Sequence, residues 1–340
     1  MDPADQTCPS TNDDRLDLSV VICTYNRADR LDKALASLSR ARPSGADGWE
    51  LLIVDNRSTD RTAEVAAAWS DHLPIRYLYE PEPGLSAARN RALAEARGRL
   101  LAFTDDDVEV DARWLAEIMH ARHRWPSASY LAGRIVPAYE PPKPDWLTET
   151  CESLLAGVVI RFSPSRGAGT LSPQDPRPMG ANLAFDAHAL RALGGFRTDL
   201  GRNGTSLVGG EEAAVLAELE RTGHHGVYVP DAVVHHHTPP DRLRHGFLLR
   251  HLTAAGVAAV RMGHGPLPGR WGPPRWIVRK LATTGLAYLA ACLTGPPERW
   301  VDRMRTFCFY LGATRELLRT GSHLPQAERV NAVRPLPASI

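Results

Sequence analysis

The 340-residue sequence lacks net charge: 40 basic against 39 acidic residues leave +1. No whole-chain field therefore draws it to nucleic acid, and none is expected as a partner. Cysteine is scarce. The five present, Cys8, Cys23, Cys151, Cys292 and Cys308, are scattered, odd in number and without a Cys-x-x-Cys pair, which argues against a disulfide framework, a thiolate metal centre or a dithiol redox site. A reducing, cytoplasmic setting fits that usage. Long apolar runs are missing too: the uncharged stretch Leu281 to Thr294 is too short to span a bilayer. The beginning of the chain carries Asp2, Asp5, Asp13, Asp14 and Asp17, the reverse of a basic-then-apolar export signal, so no export is expected. Glycine is absent where a phosphate loop would need it. After the first apolar run stands Thr24-Tyr25-Asn26-Arg27, which disfavours a Gly-x-Gly-x-x-Gly dinucleotide site.

What is present is a repeated strand and helix signal. Leu18 to Cys23 is short, apolar and β-branched, and is followed by Leu31, Leu35 and Leu38 at helical spacing over residues 28–40. The pairing recurs in residues 51–54 with 59–71, 75–79 with 85–97, and 100–103 with 112–124. Such repetition predicts an α/β fold with a mostly parallel sheet flanked by helices, whose ligands bind beyond the carboxyl ends of the strands.

Polar residues gather at those ends. The second strand runs into Asp55, with Ser58, Thr59 and Asp60 beyond it, and the fourth into Asp105-Asp106-Asp107. Asp55 ends a buried run where it could accept from a base or ribose, while Ser58, Thr59 and Asp60 suit helix capping equally well. Three carboxylates closing an apolar strand are a place to hold a divalent metal, and a metal there can grip a diphosphate. Spacing argues against other readings of the triplet. A calcium loop would want glycine at Val110 and glutamate at Ala116; an Asp-x-Asp-x-Thr/Val phosphatase would want Thr or Val at Glu109. A merely solvated acidic turn fits poorly after a buried strand.

The ordered segments Val20 to Arg27, Ile53 to Asn56 with Ser58 and Asp60, Gly84 to Asn90, and Phe103 to Asp107 resemble the signature of family 2 glycosyltransferases. The resemblance continues through Gly180 to Phe185, Gly194-Gly195-Phe196 and Gly209-Gly210-Glu211-Glu212, covering about residues 17–240. It implies a GT-A fold: a nucleotide-sugar half (17–110), an acceptor half (111–240), a helical C-terminal extension (241–322), and tails at 1–16, taken as disordered, and 323–340. It also implies an inverting transfer of one sugar from a nucleoside-diphosphate sugar, by family prior a UDP-sugar, to a hydroxyl of a glycan, lipid-linked or natural-product acceptor.

By the same resemblance Thr24, Tyr25 and Arg27 line the nucleotide pocket, Asp55 contacts the base, Arg89 approaches the base or the phosphates, and Asp106 and Asn182 lie near the sugar. Asp105 and Asp107 form the Asp-x-Asp pair on one side of an extended segment, with Mn2+ or Mg2+ as the cofactor. Glu212 takes the position of the family's catalytic aspartate, with Glu211 an alternative base; as a bland alternative, the two acids only complement a helix N-terminus. Within His235-His236-His237, His235 and His237 face the same way on a strand and are expected to complete the metal shell, unless the run is just a polar strand end.

The C-terminal hundred residues match the resemblance loosely. Residues 243–262 and 276–293 read as helices around a Gly/Pro-rich break at 264–274. Packing on the catalytic part is the plain reading of them; the pattern also admits a peripheral membrane contact, and a homodimer is left open. Neither Arg275-Trp276 nor Arg299-Trp300 has glutamine three residues before its arginine, so the mark of processive synthases is missing and one sugar per encounter is expected. Two other classes remain as alternatives. A sugar-1-phosphate nucleotidyltransferase wants a glycine-rich loop after strand one, and a non-catalytic carbohydrate-binding protein needs neither the aspartates nor Glu212.

Overall fold

The computed structural model describes residues 16–41, 48–263 and 274–320. The N-terminal tail through residue 15, the Gly/Pro-rich break over 264–273 and the C-terminal tail lie outside the described residues. Leu16, placed in the tail on sequence grounds, begins the first strand.

Four βα repeats open the chain: β1 (Leu16–Thr24), α1 (Ala28–Leu38), β2 (Trp49–Asp55), α2 (Thr62–Ala68), β3 (Ile75–Tyr79), α3 (Leu85–Glu95), β4 (Gly98–Asp105), then β5 (Val108–Val110) and α4 (Trp114–Arg124). Residues 20–22 of β1 and 51–54 of β2 are fully buried, as β-branched strands covered on both faces must be. The chain continues through β6 (Tyr130–Tyr139), α5 (Glu149–Leu154), β7 (Gly169–Thr170), β8 (Asn182–Asp186), α6 (Ala187–Ala192), α7 (Glu211–Arg221), β9 (Gly226–Thr238), a 3-10 turn at Pro240–Leu243, α8 (His245–Arg261), α9 (Arg275–Thr294) and α10 (Pro297–Thr320).

These strands form one sheet in the order β3-β2-β1-β4-β8-β6-β9-β5, with β7 on β9. Over β3-β2-β1-β4 it is parallel, as the repeats require. Beyond β4 it becomes mixed: β8 runs antiparallel to β4 and β6, β6 and β9 are parallel, and β5 is antiparallel to β9. The sheet is thus less uniformly parallel than the repeats alone suggest. Its geometry puts the ends of β1, β2 and β4 beside each other, because Thr24 aligns with Asp55 and Cys23 with Asp105.

The C-terminal helices are packed on the rest of the chain. A second apolar core joins Leu147, Cys151, Leu155 and Val159 to Leu248 and Leu252 of α8 and to Val301, Met304 and Cys308 of α10. Helices α8 and α10 cross closely: a methyl on Gly312 would lie 1.9 Å from the Thr253 carbonyl oxygen, and one on Gly256 2.1 Å from that of Phe309. Backbone cannot yield as a side chain can. Gly312→Ala should therefore cost about 1–3 kcal/mol by overpacking, read as a fall in melting temperature; an unchanged midpoint would mean the crossing is looser than it looks.

Candidate active site

The β1–α1 and β2–α2 connections are tied together before any ligand is considered. Asn26, in the left-handed region at φ 52°, accepts at Oδ1 from the Thr59 N–H (2.7 Å) and donates its own N–H to Ser58 Oγ (2.9 Å). Asp60 accepts from the N–H of Ala28 and of Thr62, so one carboxylate serves the first turns of two helices. This is the capping outcome for Asp60, whereas Ser58 ties the two connections together instead. Asp55 is buried, its Oδ1 accepting from the Ser58 N–H (2.7 Å) and its Oδ2 from the Tyr77 hydroxyl. Each oxygen keeps another lone pair, so a base reaching Asp55 shares it with the loop. Tyr25 and Tyr79, at the ends of β1 and β3, are half exposed beside it.

At the end of β4 the three aspartates separate by direction. Asp106 turns into the protein, accepting from the Thr24 hydroxyl (2.8 Å) and from Arg27 Nη1 (2.9 Å). Burial pushes its carboxyl up to about 6 against the Arg27 charge. Asp106, expected nearer to the sugar, is turned inward, each of its oxygens holding one donor, and the Thr24 hydroxyl is spent on the same contact. Asp107 is also buried, but two arginines and an imidazole surround it. Arg242 Nη2 lies 2.7 Å and Arg27 Nη1 3.1 Å from its Oδ2, and His236 Nε2 lies 3.3 Å from its Oδ1. Although burial alone would raise it, His236, Arg242 and Arg27 hold this carboxyl down at about 2. His236 Nε2 is also 3.8 Å from Asp105 Oδ2.

Asp105, Asp107 and His236 each offer one ligand atom, all within 4.8 Å of one another. Two carboxylate oxygens and an imidazole nitrogen suit a divalent cation such as Mn2+, which takes nitrogen more readily than Mg2+ does. The donor set therefore fits the expected metal, with one correction: His236 replaces His235 and His237. On β9 the even positions Ala232, Val234, His236 and Thr238 face inward, and pairing of Val108 with His236 brings that face to the aspartates. His235 points to solvent, and His237 meets Glu109 (2.8 Å) and Glu140 (3.5 Å). The apolar alternation from Ala232 was the sequence signal for this. Arg242, after Pro239-Pro240, had none.

The second centre lies at the start of α7. Gly210 stands at its N-cap with φ 95°, a conformation that favours glycine. Arg89, from α3, is buried; its Nη1 donates to Glu211 Oε1 (2.7 Å) and lies 3.6 Å from Glu212 Oε2. The rings of Phe103 and Phe196 flank its guanidinium at 5.8 and 5.4 Å. This corrects the expectation that Arg89 approaches the base or phosphates. It is enclosed so closely that a methyl on Gly180 would fall 2.4 Å from its Nη2.

Asn182 is corrected as well. Its Oδ1 accepts from Trp114 Nε1 (2.9 Å) and its Nδ2 donates to the carbonyls of Arg134 (2.9 Å) and Ala232 (2.8 Å), so both amide hydrogens are spent tying β8 to β6 and β9. No donor is left for a sugar.

Residues 19–155 match the model of glycosyl transferase family 2. This segment belongs to that family. The validoxylamine A glucosyltransferase of Streptomyces hygroscopicus subsp. jinggangensis is 33% identical over 129 residues, 37% of this chain and 30% of that relative. The chain thus spans less than a third of that relative's length. The glucosyl-dolichyl phosphate glucuronosyltransferase of Haloferax volcanii is 24% identical over 221 residues, 64% of this chain and 68% of the relative. Among solved structures, the mannosyltransferase of Pyrobaculum calidifontis in complex with GDP-Man and Mn2+ superposes with TM-score 0.58 at 20% identity, covering 90% of this chain and 88% of that one. S. aureus TarS 1-349 in complex with UDP-GlcNAc gives 0.51 at 15%, covering 86% and 73%. These likenesses show the GT-A fold.

The acid pair of α7, beyond the matched segment, holds one proton between its two carboxyls. Burial and the adjacent Glu212 charge push Glu211 up to about 8, against Arg89. Glu212 is held below its ordinary range because Arg89 and a hydrogen bond from Glu211 outweigh burial. Glu211 Oε2 and Glu212 Oε2 have no other hydrogen-bond partner, so a proton on Glu211 donated to Glu212 satisfies both. A carboxyl whose folded pKa lies above its ordinary 4.5 supports the fold fully below that value and loses this support as pH rises toward about 8. Over that window the wild-type melting temperature should fall relative to that of Glu211→Gln; parallel curves would place the proton elsewhere. Isothermal titration should likewise show Mn2+ binding weakened by His236→Ala and unchanged by His235→Ala.

Proposed function

We propose that this chain is an inverting, non-processive glycosyltransferase moving one sugar from a nucleoside-diphosphate sugar, UDP in the first instance, to a hydroxyl of a glycan, lipid-linked or natural-product acceptor. The observation that carries the proposal is a matched pair of centres in one GT-A site: a donor-side cation site of Asp105, Asp107 and His236, and an ionised Glu212 beside it. Arg89 contacts both acids of α7, and the Phe103 ring against its guanidinium stands two residues before Asp105 on β4. In this reading residues 17–110 are the nucleotide-sugar half, 111–240 the acceptor half and 241–322 a helical extension, and the enzyme works in the cytoplasm.

Asp105, Asp107 and His236 would hold Mn2+ or Mg2+, which supplies positive charge against the diphosphate as it leaves. Arg27 and Arg242 add charge on the same side, and Arg242 Nη1 is a buried donor without a partner. Glu212 Oε1, at 3.3 Å from the Gly180 N–H, is oriented by backbone and by Arg89. As the acceptor oxygen bonds to the anomeric carbon, the bond from that carbon to the diphosphate oxygen breaks, its electron pair leaves with the nucleotide, and Glu212 takes the hydroxyl proton. Displacement from one side inverts the anomeric centre. Arg89 and Glu211 act by positioning Glu212 and keeping it ionised. A nucleotidyltransferase or a carbohydrate-binding module has no use for such a base.

Turnover of a nucleotide-sugar panel with Mn2+ tests the activity. Glu212→Gln should keep donor affinity while transfer falls about a hundredfold or more, and Asp107→Ala should lose the metal dependence of nucleoside-diphosphate binding. Wild-type turnover in the first variant would move the base elsewhere; unchanged metal dependence in the second would remove Asp107 from the cation site.

A further inference from the structure

Helix α9 is apolar on the side where a packed surface helix should be polar. Its inner side is accounted for: Ile277, Tyr288 and Ala291 are buried, and Tyr288 stacks on Phe307 of α10 at 6.0 Å. Its outer side carries Val278, Leu286, Leu289 and Leu293 at 50, 69, 60 and 85% exposure, with Ala282 and Ala290 exposed among them. At 100° per residue these six positions fall on one broad face, and no charged residue follows Lys280 in the helix. A contiguous exposed apolar face of this kind marks an interaction surface.

The surrounding charge says what it meets. Residues 275–320 hold eight basic side chains (Arg275, Arg279, Lys280, Arg299, Arg303, Arg305, Arg315, Arg319) and three acidic ones (Glu298, Asp302, Glu316), a net +5 in a chain whose total is +1. All three acids are already engaged: Glu316 with Arg261 and Arg319, Asp302 with Arg305, Glu298 with the Thr148 hydroxyl. Beside the exposed leucines, α9 and α10 enclose a groove of about 410 Å³ lined by Ala287, Ala290, Ala291, Thr294, Arg299 and Arg303. Its two arginines stand one turn apart on α10, and both are exposed. Small side chains leave room there, and two guanidinium groups supply the geometry that grips a phosphate.

We infer that the outer face of α9 lies in the surface of a membrane containing anionic phospholipid, its leucines entering the headgroup and acyl boundary and Arg299 and Arg303 holding a lipid phosphate in the groove. No helix among the described residues is long and apolar enough to cross a bilayer, so the contact lies on the surface. The net positive charge favours this occupant over a second copy of the same basic face, which would meet like charge.

The test is co-sedimentation of the full chain with phosphatidylcholine vesicles, with and without phosphatidylglycerol, together with sedimentation velocity in the absence of lipid. It needs no sugar transfer, so its outcome is independent of the proposed activity. Wild-type protein should sediment with the anionic vesicles, and Leu286→Glu/Leu289→Glu/Leu293→Glu should lose this while keeping its melting temperature. Arg299→Glu and Arg303→Glu should each weaken binding about fivefold or more, whereas Arg113→Glu, an exposed change outside the patch, should not. Absence of vesicle binding by wild type would overturn the inference. So would a wild-type dimer that the leucine variant converts to monomer with no effect on vesicle binding.

Discussion

The site depends on keeping three consecutive carboxylates ionised or satisfied at the end of a buried strand. Left alone, buried carboxylates cost several kcal/mol each and would take up protons instead. The fold answers by drawing partners from distant segments: the cations Arg27 from the β1–α1 connection and Arg242 from the turn beyond β9, and the imidazole of His236 from β9 itself. The turn between β4 and β5 sends Asp106 inward to Arg27 and Thr24 while Asp105 and Asp107 look toward His236. Much of the sheet topology serves this convergence, since β5 must lie antiparallel on β9 to bring His236 opposite Val108. The cations that stabilise Asp107 without a ligand carry the same charge sign as the metal and the same complementarity to a diphosphate. A site stabilised in this way is electrostatically prepared for an anionic ligand.

The second centre solves the opposite problem. Around Arg89 there are two acids for one cation, so one acid is surplus and burial assigns it a proton. Glu211, at 3% side-chain exposure against 22% for Glu212, is the one that keeps it. The neutral acid and the guanidinium then act together on the more exposed Glu212, leaving it ionised. Phe103 ends a β4 segment that leads into the aspartates and also packs on Arg89, so the two centres share a wall.

How much of this was legible depended on whether the signal was local. The first four strands could be read because a strand buried on both faces needs a β-branched run, and the aspartates stood out because acids rarely close such a run. The mixed half of the sheet could not, since β8 and β6 pair across intervening helices and nothing in five or ten residues says with whom. His236 was readable in principle from the alternation Ala232, Val234, His236, but the choice of 235 and 237 followed a spacing without asking which face was buried. Asn182 and Arg89 were found as positions and misread as roles. Both are polar residues whose partners, Trp114 and Glu211, lie 68 and 122 positions away, and local sequence does not carry that information.

The C-terminal helices show where an argument from packing stops. Helix α8 touches the catalytic part directly: a side chain on Gly210, at the head of α7, would lie 3.3 Å from Met262, and Val257 and Ala258 pack with Leu200 and Val208 from the loop before Glu211. Helix α10 lies on α8 with glycine-to-backbone contact, and α9 lies on α10 through Tyr288 and Gly285 against Phe307. Every inward face in this stack is therefore accounted for by its neighbour. The outward face of α9 is not, because leucines at 60 to 85% exposure leave most of their apolar surface in water, and burying each such side chain would be worth about 1.5–3 kcal/mol. Stability of the isolated chain gives no reason for leucine at those positions. A surface that becomes covered does.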